Sequence, residues 1–239
     1  VAARAREPLP GEFPRWWIFY TAPADPAANM AVDDALLEFA PRLTAPMLRL
    51  YSWNRPAATF GYFQKYADAA SATRLRPLIR RPTGGGLVPH KRDWTYSFIA
   101  PVGHPWHRLD AAASYARMHQ WIVDAFAALG LETELASGCH KEIPGRCFVG
   151  SEKFDILRLG KKIAGAAQRR TRDGLLIQGS IQPPRVKFSL HDWHVALATA
   201  AMQNWGITWQ KFFPNDEVLR RMRDLTFGKY SIEAYNRHR

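Results

Sequence analysis

Residues 78–100, LIRRPTGGGLVPHKRDWTYSFIA, carry two adjacent arginines and a Pro-Thr pair into three consecutive glycines. Glycine lets a backbone approach a ligand closely or take up φ > 0. With Arg80 and Arg81 ahead of Gly84, Gly85 and Gly86, the loop offers N–H groups and guanidinium forks to an anion or a carbonyl. No Lys-Ser/Thr pair follows the glycines, so this is not a P-loop. Neither the glycine spacing nor the following pattern fits a dinucleotide fingerprint. Residues 78–80 read as a strand before the loop and residues 94–100 as a strand after it, which predicts a hairpin-like junction of a mixed sheet. Successive strand residues face opposite ways, so one of the two arginines points at a ligand and the other does not.

Outward from the loop, strands and helices alternate without a dividing linker or repeat. Residues 16–20 (WWIFY) have strand length, and Asp25-Pro26 caps a helix that buries Met30, Ala35 and Leu37 before Pro41. Asn29, Asp33 and Asp34 read as ordinary helix chemistry. Residues 47–53 and 57–64 are two further strands, and 65–76 a short Ala-rich helix. Asp110 caps a helix in which Tyr115, Met118, Ile122, Phe126 and Leu129 keep a 3.6-residue period up to Gly130. Residues 131–136 form a candidate strand. Residues 154–158, 163–168 and 175–181 form a meander with Lys162 at its first turn. Helices near 192–204 and 216–226 follow, and the basic residues 229–239 read as a partly mobile tail. Residues 1–14 read as an arm, and 15–239 as a single domain with no accessory C-terminal domain.

The bulk numbers narrow the function. A 47% hydrophobic chain with nine tryptophans and thirteen phenylalanines packs a core and is not disordered. No run reaches the roughly 18 apolar residues that span a bilayer, and residues 1–17 lack a signal-peptide core, so a cytoplasmic setting and no membrane partner are expected. Cys139 and Cys147 are too few for a disulfide framework. With His140 they have no paired metal-ligand spacing, and no metal is expected. The net charge of +12 calls for an anionic partner. Basic residues scattered along the chain, with no recognised module, favour an acidic protein over nucleic acid.

Two motifs carry a resemblance. RRPTGGGLVPH (80–90) and GKKIAGAAQ (160–168) together resemble the substrate loop and the lysine motif of the biotin/lipoate A/B protein ligase family, with support from the helix NMAVDDALL (29–37) and the strands LRLYSW (48–53) and GYFQ (61–64). The resemblance implies an α+β fold of the class II synthetase/biotin-ligase type, with a mixed, largely antiparallel sheet flanked by helices. It implies substrate contacts from Arg81, Gly84, Gly85, Gly86, Leu87, Val88, His90, Gly165 and Ala167. Lys162 would hold an acyl carbonyl as negative charge develops on it. For Trp53 and Tyr62, a place in the core or the pocket wall is expected, and for His90 a structural role.

The segment RCFVGSEKFDI (146–156) resembles the cysteine-dependent protein octanoyltransferases of that family, with Cys147 as nucleophile. That branch passes an acyl group from an acyl carrier protein to a lysine of a lipoyl domain or a glycine-cleavage H-type protein, without a cofactor. Gly86 departs from it, since the transferases commonly place arginine there and the lipoate ligases glycine. Ligation would use ATP and Mg and leave Cys147 a bystander. Pro89 departs in turn from the ligase loop and removes a backbone donor. A non-catalytic carrier-protein or nucleic-acid binding module on the same fold is a third reading.

Overall fold

The structure is a computed structural model and describes residues 14–139 and 150–238. The Trp-rich segment expected as a strand forms β1 (Arg15–Tyr20), whose alternate residues Trp16 and Ile18 are buried. Asp25 caps α1 (Pro26–Phe39) by accepting from the Ala27 amide, with proline in the first turn. The chain returns as β2 (Met47–Tyr51), all five residues buried, and β3 (Ala57–Phe60), followed by α2 (Tyr66–Ala72). Around the glycine loop lie β4 (Leu78–Arg80), β5 (Val88–His90) and β6 (Trp94–Pro101). A short α3 (Pro105–Arg108) leads to α4 (Ala111–Ala128), capped by Asp110. Then come β7 (Glu134–Leu135), β8 (Ile156–Arg158), β9 (Lys161–Arg170) and β10 (Gly174–Ile181). The chain continues through α5 (Leu190–Trp205), β11 (Thr208–Lys211), α6 (Asp216–Leu225) and α7 (Glu233–Arg237).

The main sheet runs β11-β1-β2-β6-β10-β9-β8-β7. Among the described residues of this sheet, only β1 pairs in parallel, with β11 and β2, and the other strand pairs are antiparallel. One face packs on α4 and α5 through Phe98, Trp121, Phe126, Trp193 and Leu197, and the other on α1 and α6 through Met30, Leu36, Leu176 and Met222. This is the mixed, largely antiparallel, helix-flanked α+β architecture expected from the sequence.

The glycine loop does not sit in a hairpin of this sheet. β4 and β5 pair with opposite edges of β3 in a separate three-stranded sheet, and β6 alone enters the main one. The glycine loop thus joins two strands of the small sheet, and residues 91–93 carry the chain from there into the main one. Three further expectations change. The strand over 57–64 stops at Phe60, because Gly61–Gln64 closes as a turn with the Gln64 amide donating to the Gly61 carbonyl. The edge strand β11 was missed. The basic tail is structured up to residue 238, where Tyr230 is fully buried and its hydroxyl donates to Asp34 at 2.9 Å.

Candidate active site

The two arginines of the loop divide as strand alternation demands. Arg80 is 1% exposed and serves the scaffold. Its Nη1 donates to the carbonyls of Tyr62 and Gln64, both at 2.7 Å, and its Nη2 donates to that of Asn236 at 3.1 Å. Arg81 turns towards a cavity between the sheets, while its Nε donates to the Gly84 carbonyl at 3.0 Å. The loop is pinned from behind at Gly61, where an added Cβ would stand 1.9 Å from the Gly85 oxygen. Thr83 ties the loop to the main sheet by donating to Gln178 Oε1 at 2.7 Å. Gln178 in turn donates to Asp33 Oδ2 at 2.7 Å, and Asp33 Oδ1 accepts from Arg49 Nη1 at 2.6 Å. The side chains of Asp33 and Arg49 are fully buried. Each charge is therefore tolerable only with the other in place.

The lysine sits at the second wall. In β9, Lys162 places Nζ 2.7 Å from Asp155 Oδ2, with side-chain exposures of 7% and 0%. The Asp155 carboxylate also accepts from the Glu152 amide at 2.6 Å and the Tyr115 hydroxyl at 2.5 Å. Burial, then the charge of Asp155, pushes the Tyr115 phenol well above its ordinary value, so it acts as a donor here. The same hydroxyl accepts from the Ala166 amide at 3.1 Å and so stitches α4 to β9 beside the lysine. Phe154, with φ of 71°, turns the chain into Asp155. Its carbonyl accepts from Nδ1 of the fully buried His119 at 2.6 Å, and burial lowers that imidazole to about 4.

A third group of contacts orders His90. Arg81 Nη1 donates to Thr59 Oγ1 at 3.5 Å, which leaves the Thr59 hydroxyl to donate to His90 Nε2 at 2.8 Å. His90 Nδ1–H then faces Asp93 Oδ2 at 2.7 Å, an oxygen that also accepts from Ser180 at 2.7 Å. Trp53 stacks on the imidazole with ring centroids 3.8 Å apart. This geometry suits positioning more than proton transfer.

Arg81, Val88, His90, Lys162, Gly165 and Ala167 all line one cavity, with Met30, Tyr51 and Trp53 as its apolar wall. It encloses about 470 Å³ of empty space, counting its open mouth. The glycines 84–86 lie outside that wall, and Leu87 is buried in the small core with Phe60 and Leu78. Cys147 lies outside the described residues. Sequence reasoning missed Asp155, Asp93 and the Asp33–Arg49 pair. For Asp33 a signal was present: it stands three residues from Met30 and four from Leu37 on the buried face of α1, where a lone carboxylate needs a partner. An apolar slot with a buried lysine amine in its wall can take an acyl chain and polarise its carbonyl.

The chain is similar to several known proteins. An octanoyltransferase, LipM, from Carboxydothermus hydrogenoformans is 35% identical over 161 residues, covering 65% of this chain and 60% of that protein. LipM from Staphylococcus epidermidis is 34% identical over 179 residues, covering 70% of this chain and 65% of its own. The chain thus spans less than two thirds of these relatives. Lipoate-protein ligase A bound with ATP superposes with a TM-score of 0.74 at 21% identity, over 95% of this chain and 99% of that one. The bipartite lipoate protein ligase of Thermoplasma acidophilum gives 0.71 at 20% identity, over 94% and 96%. Both show a shared fold. Residues 25–183 match the lipoyl protein ligase A/B catalytic domain, two thirds of the chain and both of its motifs, and the chain belongs to that family.

Proposed function

We propose that this protein is an acyltransferase of protein lipoylation. It moves an octanoyl or lipoyl group from an acyl carrier protein to a lysine of a lipoyl-type domain or a glycine-cleavage H-type protein. The observation that carries the reading is the Lys162 amine, held by Asp155 in the wall of an apolar cavity beside the glycine loop. The similarity to octanoyltransferases supports the acyl group.

In the first half-reaction the Cys147 thiolate attacks the carbonyl carbon of the donor thioester. A new C–S bond forms, the carrier's C–S bond breaks, and the carrier thiolate leaves and takes up a proton. In the second, the neutral amine of the acceptor lysine attacks the acyl-Cys147 carbonyl. The amide forms, the Cys147 thiolate leaves, and the proton lost by the amine returns the pair to its resting state. In both, Lys162 serves as the electrostatic and proton-transfer partner for the charge that develops on the carbonyl oxygen. No cofactor is consumed. ATP and Mg would enter only if the loop bound an acyl-adenylate.

Intact-protein mass spectrometry after incubation with octanoyl-acyl carrier protein, without ATP, tests this. A thiol-labile octanoyl adduct on the wild type and none on Cys147→Ala is the expected result. No adduct, with acylation of an apo lipoyl domain from free lipoate and ATP, would replace the transferase by a ligase.

A further inference from the structure

We infer that the turn between β8 and β9, Leu159-Gly160, is the tip on which the acidic lipoyl-type acceptor domain docks; this rests on the acyl-transfer reading above. The turn has two residues, closed by the Arg158–Lys161 pair, with φ of 49° at Leu159 and 71° at Gly160. A two-residue turn with both φ values positive favours Asn-Gly, because asparagine tolerates the left-handed region and leucine does not. Leu159 gains nothing from packing in return, for it is 88% exposed. Around Gly160 an added Cβ would meet no atom within 4 Å, so the tip stands in open space. A left-handed leucine kept at an exposed tip, against its own backbone preference, points to a role outside the chain's own packing.

The surroundings select the partner. Arg158 and the exposed Lys161 flank the leucine, and the next residue, Lys162, lines the cavity. An apolar knob between two cations on a chain of net charge +12 complements an acidic surface. The acceptor is the substrate that must come this close. A lysine side chain reaches only about 6 Å from its backbone, so its domain has to rest on the cavity rim, whereas a donor thioester on a long flexible arm does not.

The test is Leu159→Asn, which installs the preferred Asn-Gly turn and removes the knob. Its thermal midpoint should equal or exceed that of the wild type. Its Kd for an apo lipoyl domain, by calorimetry, should weaken at least tenfold. Its rate of acyl-enzyme formation from octanoyl-N-acetylcysteamine should stay unchanged. Arg158→Glu/Lys161→Glu should weaken the same Kd and flatten its salt dependence. Unaltered lipoyl-domain binding by Leu159→Asn overturns the inference, as does a wild type that does not bind the domain. So does loss of acyl-enzyme formation in Leu159→Asn, which would make the turn a support for Lys162. A wild type that forms no acyl adduct removes the functional reading itself, whereas adduct formation with unaltered domain binding removes only the docking tip.

Discussion

A Cβ on Gly165 would crowd the end of Lys162, 2.9 Å from its Cε and 3.0 Å from its Nζ, with Asp155 Oδ1 at 3.1 Å. The glycine of the lysine motif is there to make room for the lysine. Gly165→Ala should push the amine aside, since a lysine tip moves more easily than a strand. Folding should survive with a small drop in thermal midpoint, while kcat for acyl transfer falls on the order of 100-fold, the scale of a displacement near 1 Å. Steady-state kinetics beside a melting curve check this. Full activity would show that the amine position is unimportant.

Asp155→Asn removes the charge that faces Lys162 and keeps the side-chain shape. Breaking one side of a buried ion pair costs about 3–5 kcal/mol; Tyr115 and the Glu152 amide donate to different oxygens of Asp155, and asparagine keeps only one acceptor oxygen, so the upper end is expected. Urea unfolding of Asp155→Asn, Lys162→Met and the double variant would show it. The double variant should lose less than the sum of the singles, because their partners are shared.

Gly61→Ala tests the loop from behind. The added methyl meets a backbone oxygen, and no rotamer relieves that. Overpacking of this kind costs about 1–3 kcal/mol, and the Gly84–Gly85 segment should shift out of register with Arg81. The expected readout is a raised KM for the acyl donor together with a lower thermal midpoint.

His119 predicts the direction of acid sensitivity. Folded, its pKa is lowered to about 4 by burial, and unfolded it returns to about 6.5. Between these values the unfolded chain holds the extra proton, so stability is full above pH 6.5 and is lost as pH falls towards 4. The contribution is about 1.4 kcal/mol per pH unit, or about 2 kcal/mol between pH 6.5 and 5. His119→Gln should flatten that part of the profile by the same amount in urea unfolding at pH 7 and pH 5. His104 and His194 are lowered in the same direction by burial, and remain in both proteins as background.

Much of this fold could be read in the sequence wherever one residue class repeats with the period of one element. α4 announced itself through Met118, Ile122 and Phe126, and the meander of β8, β9 and β10 through its Gly and Asp-Gly turns. What escaped depended on pairing across the chain. β11 is a strand of four residues whose mate among the described residues is β1, some two hundred positions earlier. Nothing local distinguishes Asp33 from a solvated helix residue except the apolar company it keeps. Asp155 and Asp93 become meaningful only when β9 brings Lys162, and β5 brings His90, beside them. The hairpin expected between residues 78–80 and 94–100 fails for a related reason: both strands are real, and only tertiary pairing shows that β5 intervenes and that β4 and β6 belong to different sheets.

Arg80, the first arginine of the glycine loop, gives its backbone amide to Asn236 Oδ1 at 2.8 Å. That bond closes a span of 156 residues. During synthesis the glycine-loop peptide leaves the ribosome long before its final support exists. Arg80 therefore lacks this scaffold bond until residue 236 has emerged and α7 has docked.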